Sequence, residues 1–183
     1  VLKSFSVDTI IFYLPQLVQT LRYDVSGSVR DYLILASQKS PLVAHQLIWN
    51  TLTIEEAVEN KQLPLHEPGV TFFSKATQLR QSILSVMSAK DAQLYRDEFD
   101  FFNAITRISE LLLPVAPGDR RARLKEELRL IPIKGRLYLP TNPNTTVLNI
   151  NYERASPMQS AAKVPIMVSF LVTDVPAIKS VEE

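Results

Sequence analysis

The 183-residue chain has no cysteine, which excludes disulfide frameworks, cysteine-bound zinc, iron–sulfur clusters and thiol nucleophiles. Glycine is nearly as scarce. Gly27, Gly69, Gly118 and Gly135 are the full set, and their spacing forbids the G-x-G-x-x-G fingerprint, the Walker A loop and the G-x-S-x-G elbow. The two histidines, His45 and His66, lie too far apart for an H-E-x-x-H helix, and no metal site is expected from them. An excess of one charge sign is missing too: 20 Lys and Arg against 19 Asp and Glu leave a net +1, which gives no electrostatic reason for a nucleic-acid partner. Apolar runs stay short. The one at 10–14 meets Pro15 and then Gln16 and Gln19, far below the length of a membrane span, and no charged region with a following apolar stretch marks a secretory signal. With Val1 in first place, the chain reads as a fragment of a longer polypeptide.

What is present suits a packed, soluble domain: 46% hydrophobic against 21% charged residues. Ile10, Leu14, Leu17, Val18 and Leu21 recur at three- and four-residue steps behind the caps Ser6 and Asp8, predicting a helix that Pro15 should kink or shorten. Ser26-Gly27-Ser28 predicts a turn and a fresh cap, followed by a helix carrying Val29, Tyr32, Leu33 and Ala36 on one face. Ser40-Pro41 opens a third helix through Trp49, after which the pattern loosens to Gly69, with Pro64 and Pro68 around His66. Stacked helical hairpins follow from this arrangement. Two longer helices are expected over 72–87 and from 89 or 91 to 113, the second supported by Leu94, Phe101, Ile105, Ile108 and Leu112. Pro114 and Pro117-Gly118 stop it, and 119–130 reads as a basic amphipathic stretch.

Beyond Ile131-Pro132 the period changes to two, which predicts strands: a short one at Leu137-Tyr138-Leu139, one in which Leu148, Ile150 and Tyr152 alternate with their neighbours, and one in which Ile166, Val168, Phe170 and Val172 do so. Helices first and strands last make the fold class α+β. Because few strands are available to complete a sheet, the β part is expected to expose unpaired edges and to hold less firmly than the helices.

Four segments together resemble one family. IFYLPQLVQTLRYD at 11–24 and SPLVAHQLIWN at 40–50 look like the accessory helical domain of lipid kinases, and RLYLPTNP at 136–143 and SPMQSAAKVP at 156–165 resemble the opening of a kinase small lobe. The chain is identified as a member of the phosphatidylinositol 3-/4-kinase family, with the type III alpha phosphatidylinositol 4-kinases carrying all four in this order. The resemblance implies solenoid-like helical hairpins followed by the first strands of the small lobe: the end of the accessory domain over 1–70, linking helices over 71–130, and a truncated lobe over 131–183. It also implies that the intact enzyme transfers the ATP γ-phosphate to the 4-hydroxyl of phosphatidylinositol with Mg²⁺. Its setting would be the cytoplasmic side of the plasma membrane, held there by scaffold proteins.

For the site, the resemblance places Ser160, Ala161, Ala162 and Lys163 against the ATP phosphates, and Ile166, Met167 and Val168 in the wall of the adenine pocket. The physical logic is that a turn between two strands can aim N–H groups and a hydroxyl at phosphate oxygens while a lysine adds a point charge. The catalytic residues of phosphoryl transfer are expected elsewhere, in G-D-R-H-x-x-N and D-F-G motifs that this chain does not contain. Gly118-Asp119-Arg120-Arg121 lacks the His and Asn and comes before the phosphate loop, so it reads as a turn and helix cap. The fragment alone is therefore expected to be inactive and to bind neither ATP nor Mg²⁺ tightly. A phosphatidylinositol 3-kinase relative and a non-catalytic helical interaction module are the alternatives. Among single residues, His45 and Trp49 suit core packing, and Tyr13, Gln16, Gln19, Arg22 and Tyr23 suit a ridge against a neighbouring hairpin. The arginines of 120–129 suit a solvated face or attraction to anionic lipid.

Overall fold

The computed structural model describes residues 5–60, 69–160 and 163–174. These residues form two compact units, one through Ala92 and the other from Gln93, so that the division falls within a helix. His66, Pro64, Pro68, Ala161 and Ala162 lie outside the described residues.

The first unit is helical. Helix α1 (Val7–Thr20) starts where the Ser6 hydroxyl accepts the Thr9 N–H at 3.3 Å, and it buries Ile10, Leu14 and Val18 as one stripe. It runs through Pro15 without a break, where the sequence suggests a kink or a later start. Pro15 sits on the exposed side, so water can serve the carbonyl that its missing N–H leaves open. A single 3₁₀ turn (Leu21–Tyr23) leads to helix α2 (Ser28–Lys39). At its entry Ser26 accepts the Ser28 N–H at 3.3 Å within the expected turn, and the rest of the first turn is served from further back. Gly27 takes φ +75°, which favours glycine, and Asp24 Oδ2 accepts the Arg30 N–H at 3.0 Å. Burial pushes the Asp24 carboxyl up, but bonds from the Arg30, Val29 and Gly27 N–H groups, with Lys75 nearby, outweigh it and hold the group below its ordinary value.

Helix α3 (Pro41–Glu59) begins as predicted, with Ser40 accepting the Val43 N–H and Pro41 in the first turn. It extends ten residues past Trp49, where a loosening pattern is expected from the sequence. The reason is that α3 packs against α1, α2 and helix α4 (Gly69–Val86), and burial of Thr51 and Ile54 carries it onward. Buried away from solvent, the Thr51 hydroxyl donates to the Ile48 carbonyl at 2.8 Å. Helix α4 buries Phe72, Ala76, Leu79 and Ile83, and its Arg80 grips Glu55 of α3 with two 3.0 Å bonds. The expected ridge is largely absent: Tyr13 and Tyr23 are 52% and 84% exposed, Gln16 and Gln19 are exposed, and only Arg22 packs, 3.9 Å over the Phe72 ring.

Helix α5 (Ala89–Leu111) carries the division between the units. In the second unit Phe101, Ile105, Ile108 and Leu112 join Leu124 and Leu128 of helix α6 (Arg120–Arg129) in one core. Asp119 occupies the cap position of α6 without a side-chain hydrogen bond. Strands β1 (Thr146–Pro157) and β2 (Ile166–Thr173) pair antiparallel as the one sheet of the described residues, with Thr146 opposite Thr173 and Pro157 opposite Ile166. Val147, Ile150, Ala155 and Val164 complete the core. The β part therefore has a packed face, while among the described residues each of its two strands keeps one edge without a partner strand, as expected from the sequence.

The third expected strand does not form. Leu137-Tyr138-Leu139 is an extended strap that closes on a Leu139–Asn142 bridge, with the Val147 N–H donating to the Leu137 carbonyl at 2.8 Å. Pro140 and Pro143 remove the donors a longer ladder would need. At the head of the strap, Gly135 takes φ +68°, and an added Cβ would lie 3.2 Å from Asp97 Oδ2.

Candidate functional site

The segment singled out by sequence lies where β1 turns into β2. Pro157 opposes Ile166, and the Met158 N–H donates to the Pro165 carbonyl at 2.7 Å, closing the base of the loop. Val164 is buried in the core and pins one limb. Ser160 and Lys163 are exposed, and among the described residues neither the hydroxyl nor the ammonium makes a hydrogen bond or ion pair. Both groups are thus presented to solvent from a loop whose two limbs are fixed. Such a loop can offer a donor, an acceptor and a positive charge to an anion.

The neighbouring residues of β2 divide between two faces, as the period of a strand requires. Ile166 and Val168 turn toward the core shared with α5 and α6, whereas Met167 and Leu171 lie on the other face, more than half exposed. Leu148 and Met158 are likewise exposed. A ligand lying against the open face would meet Met167 and not Ile166 or Val168.

Four of the basic residues of α6 are engaged. Arg120 donates to the Val115 carbonyl, Arg123 pairs with Glu126 and Glu127, and Lys125 and Arg129 reach Glu153 of β1 at 2.5 and 2.8 Å. Chiefly the hydrogen bond from Lys125, with help from Arg129, holds the Glu153 carboxyl below its ordinary value. His45 is fully buried beside Trp49, ring centroids 6.4 Å apart, and burial brings it down to about 4, against a small opposing pull from Asp91. It is a neutral core residue. Among the described residues no three His, Asp or Glu side chains converge as a metal site.

Sequence reading missed Glu98. It is fully buried in α5, its Oε2 accepts the Tyr138 N–H of the strap at 3.1 Å, and its Oε1 has no hydrogen-bond partner among the described residues. Burial pushes its carboxyl up to about 8, against the smaller opposite effect of the Tyr138 bond; burial, with Glu98 beside it, also raises the Tyr138 phenol. A signal was available. Glu98 lies four residues after Leu94 and three before Phe101, on the apolar stripe of α5.

Comparison with known proteins bears on both units. The accessory domain of the phosphoinositide 3-kinase family (PIK domain) matches residues 1–85. Phosphatidylinositol 4-kinase alpha 1 of Arabidopsis thaliana is 41% identical over 175 residues, 95% of this chain and 9% of that protein. The chain belongs to the phosphatidylinositol 4-kinase alpha family. Two yeast members of that family agree. Phosphatidylinositol 4-kinase stt4 of Schizosaccharomyces pombe and STT4 of Saccharomyces cerevisiae are each 32% identical over 93% of this chain and 9% of their own length. The chain thus spans 9% of the length of these kinases. The PIK match takes in α1 to α3 and nearly all of α4, and the kinase relatives extend the likeness through the second unit.

Proposed function

We propose that this chain is part of a 1-phosphatidylinositol 4-kinase, an enzyme that transfers the γ-phosphate of ATP to the 4-hydroxyl of phosphatidylinositol for phosphoinositide signalling. The observation that carries this reading is the 41% identity over 95% of the chain to a protein named as such a kinase. The first unit supplies accessory helical scaffold, and the second supplies the opening strands of the small lobe. The loop between β1 and β2 presents Ser160 and Lys163 to the ATP phosphates, together with Ala161 and Ala162. Its exposure, its closed base and a hydroxyl and ammonium that no described residue engages support that role. On β2, the adenine contact falls to the Met167 side, since Ile166 and Val168 are engaged in the core.

The Mg²⁺ that phosphoryl transfer needs has no ligand set among the described residues and is assigned to other parts of the enzyme, as are the catalytic base and the lipid site. Phosphatidylinositol in a membrane is the substrate, and scaffold proteins at the cytoplasmic face of the plasma membrane are the partners. Among the described residues no helix is long and apolar enough to cross a membrane.

Steady-state kinetics of the full-length kinase test the loop. Lys163→Ala removes a charge-assisted contact, about 1.5–3 kcal/mol, which corresponds to roughly 10- to 150-fold in kcat/KM for ATP. Ser160→Ala removes a neutral one, about 0.5–1.5 kcal/mol, and leaves the backbone donors in place. The KM for phosphatidylinositol stays unchanged in both. An unaltered ATP dependence in a folded Lys163→Ala enzyme overturns the assignment.

A further inference from the structure

The pairing of β1 with β2 is interrupted just before the loop. Asn151 opposes Ser169 and Ser156 opposes Met167, so that Tyr152, Glu153, Arg154 and Ala155 face Val168 alone. An interruption of this size bends a strand and increases its twist, and therefore sets the direction in which the following loop points. Left to itself it is also a place where register slips, because no ladder bonds fix the extra residues.

Here the extra residues are held from outside the sheet. Glu153 accepts hydrogen bonds from Lys125 at 2.5 Å and Arg129 at 2.8 Å, both on α6 one helical turn apart. The Arg129 guanidinium also lies 4.7 Å from the centre of the Tyr152 ring. Ala155 is fully buried in the core that contains Leu124 and Leu128 of α6. Within the bulge, the Asn151 side chain accepts the Arg154 N–H at 3.4 Å. The two pairs that follow, Ser156 with Met167 and Pro157 with Ile166, lead straight into the loop.

The geometry points to Arg129 and Lys125 as positioning residues for the β1–β2 loop: by gripping Glu153 and Tyr152 in the bulge, α6 sets where Ser160 and Lys163 are presented. This role rests on the reading of that loop as the ATP-phosphate contact. It also gives the basic face of α6 a task inside the unit, in place of the lipid attraction that its composition suggests. Arg129 is the more specific of the two, since a planar guanidinium can bond a carboxylate and cover an aromatic ring at once, which an ammonium does less well. Because both grips are at the surface, salt weakens them.

Two readouts separate the mounting from the function of the loop. In the first, hydrogen exchange is followed in the 183-residue chain. Arg129→Ala speeds exchange of the amides at 156–160 and 166–168 about fivefold, a loss typical of one exposed cation–π contact and ion pair. Exchange in the core of α5 and in the first unit is unchanged. The conservative substitution Arg129→Lys keeps part of the protection, because an ammonium retains the pair with Glu153 but covers the Tyr152 ring less well. In the second, the same variants of the full-length kinase show a raised KM for ATP with a smaller change in kcat, an unchanged KM for phosphatidylinositol, and a smaller rise for Arg129→Lys than for Arg129→Ala. Wild-type exchange rates at 156–160 in a folded Arg129→Ala chain overturn the mounting, as does an Arg129→Lys chain that exchanges as fast as Arg129→Ala. Faster exchange with an unaltered KM for ATP leaves the mounting standing and overturns the phosphate-contact reading.

Discussion

Replacing Glu98 by glutamine should flatten the pH dependence of the second unit's stability. The carboxyl titrates at about 8 in the folded chain against an ordinary 4.5, so the folded state holds a proton that the unfolded state has released over that interval. The contribution is complete below pH 4.5 and is lost progressively as pH rises toward 8. Each pH step between these values removes about 1.4 kcal/mol, and the whole span is on the order of 5 kcal/mol. That figure is an upper one, because water reaching Oε1 and small shifts of the strap soften the penalty on the charged form. Glutamine keeps an oxygen for the Tyr138 N–H and has no proton to lose. The variant should therefore match the wild type near pH 5, or fall slightly below it, and exceed it near pH 8. Urea titration followed by hydrogen exchange at 98–112 and 146–172 measures the second unit. Trp49, the one tryptophan of the chain, reports the first unit by fluorescence as an internal control. Parallel stability–pH curves for wild type and variant in the second unit would refute the account of Glu98 as a carboxylic acid kept neutral by burial.

Gly135→Ala should destabilise the second unit by about 1–2 kcal/mol, since φ +68° is costly for any residue with a Cβ and Asp97 stands 3.2 Å from where that atom would go; a urea midpoint equal to the wild type's would contradict this. Arg80→Ala breaks a pair whose side chains are 24% and 16% exposed, leaving Glu55 with the Thr77 hydroxyl alone among the described residues. A loss of about 1–3 kcal/mol in the Trp49-reported transition is expected, and a smaller loss for Arg80→Gln. The 183-residue chain alone should not phosphorylate phosphatidylinositol vesicles above a no-protein control, since it has no G-D-R-H-x-x-N or D-F-G motif to position and stabilise the transferring group.

The helices were legible because their evidence is local. A stripe such as Phe72, Ala76, Leu79 and Ile83 repeats within one stretch of chain, and Ser40-Pro41 marks an entry by the chemistry of the first turn alone. The loop at 158–165 was legible as a connection between strands for the same reason, and its family wording singled it out. Element ends were less so. The second half of α3 has a weaker pattern and is helical because Thr51 and Ile54 are buried and α4 holds Glu55 through Thr77 and Arg80. The segment 137–139 has strand periodicity, yet proline on one side and the Glu98 bond on the other leave it a strap.

Composition, apolar spacing and motif wording by themselves determined the order of helices before strands, the alternation of β2 and membership of a kinase family. Each of these depends on residues a few positions apart, or on words that survive without a partner. Only tertiary structure decided that Asp24 joins Ser26 at the entry of α2, and that Glu98 meets Tyr138 across forty residues. It also decided that four residues of β1 leave the ladder to be held by α6. Buried hydrogen bonds, charge pairs and strand register are properties of two surfaces brought together, and the free energy that selects them does not exist until both are in place.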